Sequence, residues 1–262
     1  MHTTLIVGNG LLGAAVVLAL RQTESQICWI RPDSPDGIGT NPADDSIPGF
    51  LLPPTLDDLT AWEAWMAQYD PQGRMAPVVR LPWESDTGDQ GIAATVDMAA
   101  LRAGLHDLAG ESQVMEEPLT ITTAPDHGRV EVRSPTTTQG GQFLIECRDH
   151  SVTRCAHREP RRPDDTIVRV SHHPDGTRYR VPWGDGTYLL EMPPWDRDPA
   201  TPMHRASRPE PDDMCWIDPW SVSVHTPTWV TVTITSANGV LGIPQMVWWL
   251  RDIRMARGSA HG

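Results

Sequence analysis

Apolar positions along this chain of 262 residues follow two patterns. The three consecutive apolar residues at 5–7 are typical of a short buried strand, and an apolar helix pattern over 11–20 follows them almost at once. Leucines and tryptophans recur every three or four residues over 55–69 and 98–109, which predicts two more helices. A last helix is predicted over about 243–257. Helices and strands therefore alternate near both ends of the chain.

Segments with a period of two predict strands that are separated by turn residues. They are 27–30, 75–81, 119–123, 129–133, 142–147, 167–170, 177–181, 187–192 and 229–235. Two stretches rich in Pro, Gly and Asp, 32–54 and 193–211, interrupt this order and predict long loops. The fold class that we expect is α/β, with a parallel sheet and an inserted antiparallel sheet.

The first strand runs directly into Gly8-x-Gly10-x-x-Gly13, and the helix pattern starts there. This order of strand, glycine turn and helix is the fingerprint of a dinucleotide-binding turn. Gly8 suits the tight turn, Gly10 the close approach of a pyrophosphate, and Gly13 the packing of helix on strand. The alternative is an apolar hairpin or a signal peptide, but only Met-His-Thr-Thr precedes the run, without a basic segment. We therefore expect a dinucleotide site.

Arg31 follows the second predicted strand, where a dinucleotide fold usually carries an Asp or Glu for the ribose hydroxyls. Three interpretations stay open: the guanidinium binds a 2′-phosphate, which points to NADP, or it stacks on an adenine, or it faces solvent. Asp33, two residues later, is an alternative source of the carboxylate.

Composition narrows the classes of partner. The chain has 21 basic and 34 acidic residues, a net charge of −13, which argues against nucleic acid and anionic membranes. All basic residues other than histidine are arginine, so a lysine Schiff base is excluded. We expect a cytoplasmic protein with a small-molecule substrate; assembly with itself or with another chain stays open.

Four scattered cysteines do not form a disulfide scaffold. Cys147, His150, Cys155 and His157 are of residue types that bind zinc, but their spacing is irregular. We expect a strand end followed by a loop there, and no metal.

Five segments resemble motifs of the D-amino-acid oxidase and glycine oxidase family of FAD-dependent oxidoreductases. They are 8–13, 39–53, 95–105, 179–186 and 235–244. The resemblance implies a Rossmann-type FAD-binding domain with an interleaved antiparallel-sheet substrate domain. We expect the FAD domain to comprise 1–60, 91–150 and 221–262, and the substrate domain to comprise 61–90 and 151–220.

The resemblance implies FAD as the cofactor, with the pyrophosphate on the N-terminal turn and the flavin beside the C-terminal glycine turn. The cofactor-binding residues that we expect are Gly8, Gly10, Leu11, Leu12, Gly13, Arg31, Thr40, Asn41, Gly49, Asn238, Gly239, Val240, Leu241 and Gly242. The helix after the last turn would stabilise negative charge on a reduced flavin.

The sequence departs from the family pattern at two substrate positions. Asp218 occupies the place of the arginine that binds the substrate carboxylate, and Trp183 that of a second arginine. An anionic anchor favours an amine over a carboxylate, although Asp218 is equally well read as a turn residue before Pro219. We expect Tyr179 to hydrogen-bond the substrate.

His225 is the remaining catalytic candidate. It precedes the last predicted strand and suits acid–base chemistry near neutral pH, although a structural role is the alternative. The function that we expect is FAD-dependent oxidation of a C–N bond in a specialised amine, within a biosynthetic pathway. The alternatives are a non-redox cyclase, isomerase or partner subunit on the same scaffold, and an NADP-dependent reductase.

Overall fold

A computed structural model describes most of the chain. The described residues are 3–22, 26–33, 48–51, 56–70, 72–74, 78–124, 128–150, 154–174, 176–192, 220–235, 243–244, 246–248 and 250. The helices with full bounds are α1 (Leu11–Leu20), α2 (Leu56–Tyr69) and α3 (Met98–Ala109). Residues 243–244, 246–248 and 250 are also helical.

The strands are numbered in chain order. They are β1 (Thr4–Val7), β2 (Ile27–Pro32), β3 (Pro48–Leu51), β4 (Val79–Ser85), β5 (Gln90–Asp97), β6 (Gln113–Met115), β7 (Thr120–Ala124), β8 (Arg129–Arg133), β9 (Thr138–Gly141), β10 (Phe143–His150), β11 (Arg154–Pro160), β12 (Val168–His173), β13 (Gly176–Trp183), β14 (Gly186–Met192), β15 (Trp220–Thr226) and β16 (Trp229–Thr235).

A six-stranded sheet has the order β15-β16-β10-β1-β2-β6. Every neighbouring pair in it is parallel except β15 and β16, which form an antiparallel hairpin. The first strand of the chain is thus central, with β2 on one side and β10 on the other. The carboxyl ends of these three parallel strands meet at the same edge of the sheet.

The other strands form two smaller units. A seven-stranded sheet has the order β11-β14-β13-β12-β4-β5-β3, in which only β4 and β12 pair in parallel. A three-stranded antiparallel sheet, β7-β8-β9, covers one face of the parallel sheet through Val130 and Val132, which pack with Leu5, Val7 and Leu144. The fold is therefore mixed α/β with parallel and antiparallel sheets, as the sequence predicts.

Helix α1 lies in the main core. It is apolar around its whole circumference, and its side chains are buried except that of Leu18, which is partly exposed. A helix without a polar face requires cover on all sides. That cover comes from the opposite face of the parallel sheet, from helix α3, and from Ala94 and Val96 of β5. On α2, Trp62 stacks on Trp65 at 5.4 Å between ring centroids and adds an aromatic wall to the same core.

Both ends of α3 are capped. Asp97 is the N-cap residue, and its side chain accepts a hydrogen bond from the Ala100 N–H at 2.9 Å. Arg21, just after α1, donates through its two terminal nitrogens to the carbonyls of Ala109 and Glu111. One guanidinium therefore joins the ends of α1 and α3.

The helices predicted at 11–20, 55–69 and 98–109 and the predicted strands are confirmed, with shifts of a few residues, but six of the strands that the structure describes are missed. The strand predicted at 75–81 instead begins at Val79 and continues through Pro82 to Ser85. Proline is tolerated there because β12 pairs with β4 only from Trp83 onward. The sequence also missed β3, β5, β6, β9, β11 and β15. The domain limits stay a prediction, and β3 and β5 pair within the seven-stranded sheet.

A buried carboxylate ties β16 to β10. Glu146 is 1% exposed and accepts a 2.7 Å hydrogen bond from the Thr231 hydroxyl. The Arg148 guanidinium donates to the other carboxylate oxygen at 2.6 and 2.9 Å. Because a buried charge needs donors in place of water, removing one of these partners would leave an uncompensated group.

We expect Gly13→Ala to lower the free energy of unfolding by about 1–3 kcal/mol, as overpacking does. The new methyl group would lie 2.7 Å from the Gly8 carbonyl oxygen, a backbone atom that cannot rotate away. Alanine favours the helix more than glycine does, so a net loss of stability in urea denaturation can be attributed to this contact. Gly140→Ala is the control, since nothing lies within 4 Å of its Cβ position. Equal effects of the two substitutions would contradict the packing argument.

We expect Thr231→Val to lower the free energy of unfolding by about 1–3 kcal/mol, because Glu146 then loses a donor without any change of shape. Thr233→Val, two residues further along β16 and only partly buried, is the matched control. It should change the free energy of unfolding by less than about 0.5 kcal/mol. Urea denaturation of both variants measures the difference. A Thr231→Val protein as stable as the control would show that Glu146 does not depend on this bond.

Candidate nucleotide-binding site

The glycine turn follows β1 at the carboxyl edge of the parallel sheet. Gly8 has a φ of +150°, a conformation that favours glycine. Its N–H donates to the Ile30 carbonyl at 3.1 Å, and its carbonyl accepts from Trp29 Nε1 at 2.9 Å. Strand β2 therefore holds the peptide groups on both sides of Gly8.

Two close approaches leave no room for a side chain at Gly8 or at Gly13. A Cβ on Gly8 would lie 2.6 Å from the Cys147 carbonyl oxygen, and one on Gly13 would lie 2.7 Å from the Gly8 carbonyl oxygen. These contacts hold the first turn of α1 against the end of β1, and the turn against β10 at Cys147. That Gly10 admits a pyrophosphate stays a prediction.

The start of α1 carries no negative side chain. Gly10 is the N-cap residue, no side chain caps the helix, and the first turn contains no acidic residue. The positive end of the helix dipole is therefore not compensated by any carboxylate of the helix itself. Since it lies at the carboxyl edge of the sheet, this helix end favours an anionic ligand group.

Arg31 adds positive charge beside the turn. Its guanidinium lies over the Trp29 ring, 5.4 Å from the centroid, and its Nη1 is 3.5 Å from Nδ1 of His106. His106 packs edge-on against the same Trp29 ring at 5.1 Å between centroids. We call Trp29, Arg31 and His106 the cationic corner. It lies where a dinucleotide fold usually has a carboxylate.

The His106 ring is kept neutral by its surroundings. Burial lowers its pKa below the ordinary 6.5, and the nearby guanidinium groups of Arg31 and Arg102 lower it further. The backbone carbonyls of Gly10 and Asn9 lie near the ring and oppose this shift, because they favour its protonated form. The net shift of the pKa is downward, so the His106 ring is uncharged at neutral pH.

Several predicted cofactor residues fall outside this corner. Gly49 lies in β3, opposite Val96 of β5, in the seven-stranded sheet. Thr40, Asn41 and 238–242 lie outside the described residues, as does Asp218. The flavin end of the predicted site is therefore a prediction from the sequence.

Tyr179 lies in β13 and is partly buried against the core of the seven-stranded sheet, between Val170 and Leu190 of the neighbouring strands. Trp183 packs against the same core. A hydrogen bond from Tyr179 to a substrate stays a prediction.

His225 lies in β15, in the other sheet, and is largely exposed. Its Nε2 is 2.8 Å from the Thr231 hydroxyl, and its ring stacks on Trp229 at 4.2 Å between centroids. Because that hydroxyl donates to Glu146, His225 must donate in turn, and we assign its proton to Nε2. His225 and Tyr179 lie in different sheets, and an acid–base role for His225 stays a prediction.

Sequence reasoning missed His106 and the hydrogen bond from Trp29. Arg102 and His106 are four residues apart on α3 and so share a helix face, which was the available signal. Among the described residues, no group of three or more His, Cys, Asp or Glu side chains is arranged to hold a metal ion. Cys147 lies in the core around α1. No helix within the described ranges is long and apolar enough to cross a membrane.

No protein-family model matches the sequence, and no curated protein matches it either. Solved structures do match the fold. BrvH, a flavin-dependent halogenase from Brevundimonas sp. BAL3, is similar with a TM-score of 0.50 and 11% identity, over 74% of this chain and 56% of that one.

Two further structures are similar to a slightly lower degree. The peptidyl tryptophan dihydroxylase QhpG has a TM-score of 0.48 and 14% identity, over 76% of this chain and 47% of its own. HpxO of Klebsiella pneumoniae, complexed with FAD, has a TM-score of 0.48 and 13% identity, over 73% of this chain and 57% of that one. The chain thus spans about half the length of the structures that it matches. The fold of this chain is the mixed α/β fold seen in the flavin-dependent halogenase BrvH.

Proposed function

We propose that this protein is an FAD-dependent oxidoreductase that acts on a small molecule. One observation carries the proposal: a close-packed glycine turn leads from the central parallel strand into an apolar helix whose positive end has no acidic cap. This arrangement suits the pyrophosphate of a dinucleotide. The likeness to BrvH supports a flavin rather than another nucleotide at the level of the fold.

The residues present fit the phosphate end of FAD. The backbone around Gly10 and the start of α1 would face the pyrophosphate, and Arg31 would lie toward the adenosine. When bound, FAD would supply a two-electron acceptor for the substrate carbon. The protein would contribute binding, orientation and exclusion of water.

The substrate class that we propose is an amine that loses hydride from the carbon beside nitrogen. Support comes from the sequence alone: Asp218 stands where the resembled oxidases have an arginine that binds a carboxylate, and Trp183 replaces a second one. An anion at that place would attract a cationic amine and repel an amino-acid carboxylate. Tyr179 and His225 stay candidates for contact with the substrate.

A second candidate is an NADP-dependent reductase, and the cationic corner favours it. Arg31 replaces the usual carboxylate, and its buried Nε has no hydrogen-bond partner among the described residues. A 2′-phosphate is an acceptor that would satisfy this group. A non-redox cyclase, isomerase or partner subunit is the outcome if neither nucleotide binds.

We expect purified protein to bind FAD and to show flavin absorbance bands, and we expect Arg31→Ala to weaken FAD binding only slightly. If NADP(H) is the ligand instead, the same substitution should weaken NADPH binding by at least about 1.5 kcal/mol, the contribution of a charged hydrogen bond. Titrations of both nucleotides against both proteins measure this. Arg129→Ala, at an exposed position on β8, is the control.

Failure to bind either nucleotide would exclude both redox functions. An Arg31→Ala protein that binds FAD and NADPH as the unchanged protein does would show that Arg31 contacts neither.

We expect a cationic or aromatic amine to be oxidised in preference to free amino acids. Asp218→Asn should raise the Michaelis constant for the amine by an amount equivalent to about 1.5–3 kcal/mol, as loss of a charged hydrogen bond does. A neutral analogue should be little affected. Asp164→Asn, at an exposed turn, is the control. Efficient turnover of glycine or D-amino acids would refute the amine proposal.

A further inference from the structure

The cationic corner contains a donor that the fold leaves unused. Nδ1 of His106 faces Nη1 of Arg31 at 3.5 Å, and a guanidinium only donates hydrogen bonds. Nδ1 must therefore accept, which places the proton of the neutral ring on Nε2. His106 Nε2 is buried and has no hydrogen-bond partner within the described part of the chain. A buried donor without an acceptor costs free energy, and a bound ligand that supplies the acceptor removes this cost.

The position of this donor connects it with the glycine turn. His106 lies against Trp29, whose indole nitrogen binds the Gly8 carbonyl, and the ring is close to the backbone of Asn9 and Gly10. The same turn leads into the start of α1, which favours an anion. His106 and the helix end thus both lie next to the backbone of Asn9 and Gly10.

We propose that His106 is a nucleotide-binding residue whose Nε2–H donates to a phosphate oxygen of the dinucleotide. The inference rests on the proposed nucleotide site, and it adds a residue from α3 to that site. Arg31 acts as a positioning residue, because its contact with Nδ1 keeps the ring proton on Nε2.

The charges around His106 make this contact depend on pH. The groups that face it are Arg31 from β2, Arg102 from its own helix, and the backbone carbonyls of the glycine turn. Asp107, the next residue, is directed to Arg74 at 2.8 Å on the surface. No carboxylate among these groups balances a protonated ring, so a bound phosphate would be the first anion that does.

The affinity for a phosphate group should increase as pH falls. The pKa of His106 in the free protein lies below 6.5, and an adjacent phosphate raises it in the complex. Binding therefore takes up a proton between these two values. The gain in affinity is complete below the pKa of the free protein, and it is lost as pH rises through that of the complex.

FAD and ADP-ribose are suitable probes, because their phosphates are diesters. A phosphate monoester has a second pKa of about 6 and would itself titrate in the same range. The dissociation constant of each probe is measured between pH 5.5 and 8, for the unchanged protein, His106→Gln, His106→Phe and the control His172→Gln. His172 is exposed on β12, in the other sheet.

We expect the dissociation constant to rise as pH increases, by up to about tenfold per pH unit, in the unchanged protein and in His172→Gln. His106→Gln should retain a donor but show a flat profile. His106→Phe should bind roughly ten- to hundredfold more weakly at pH 5.5, as loss of a charged hydrogen bond does. NMR titration of the His106 ring in the unchanged protein should show its pKa rising on saturation with the probe.

Two results would overturn the proposal: a pH profile that His106→Gln leaves unaltered, or a His106 pKa that does not change when the probe binds. The NMR measurement needs no substitution, so it decides even if a variant fails to fold. Binding of FAD without these effects would leave the proposed function standing and refute the role of His106. If ADP-ribose binds with these effects but FAD does not bind, the role of His106 would stand and the proposed FAD-dependent function would be refuted.

Discussion

The position of the Gly8 peptide groups is the constraint on which the rest of the site depends. They are held by two hydrogen bonds from β2, and their carbonyl oxygen touches the position where any side chain at Gly13 would begin. The end of β1, the start of α1 and the Cys147 position of β10 therefore meet at van der Waals distance. Such contact is possible only between backbones, so the glycines determine how near the helix end comes to the sheet edge.

From this contact the charge distribution of the site follows. The indole of Trp29 reaches under the turn, and its ring then supports both Arg31 and His106. The helix end, the guanidinium and a neutral imidazole are thereby placed together, with no carboxylate among them. An overall acidic chain thus keeps a local electropositive corner, which would attract an anion although the net charge of the protein would repel it.

The glycine turn was predictable because the strand, the three glycines and the apolar helix that define it follow one another directly in the sequence. The cationic corner was not, because Arg31 and His106 are 75 positions apart and meet only once α3 packs on α1. The bond from Thr231 to Glu146 spans 85 positions and depends on the register of two strands. Strand β5 was missed because its alanines carry little strand preference, and sheet pairing with β3 and β4 supplies what local sequence does not.

The guanidinium of Arg21, which joins the ends of α1 and α3, has a consequence for substitution of this residue. It reaches the carbonyls of Ala109 and Glu111 through two different nitrogens of one planar group. A lysine carries a single nitrogen on a flexible stem, so it would not hold the two carbonyls in the same fixed geometry. Exchanging one cation for the other would therefore loosen the packing of the two helices without any change in net charge, because the tie depends on the shape of the group.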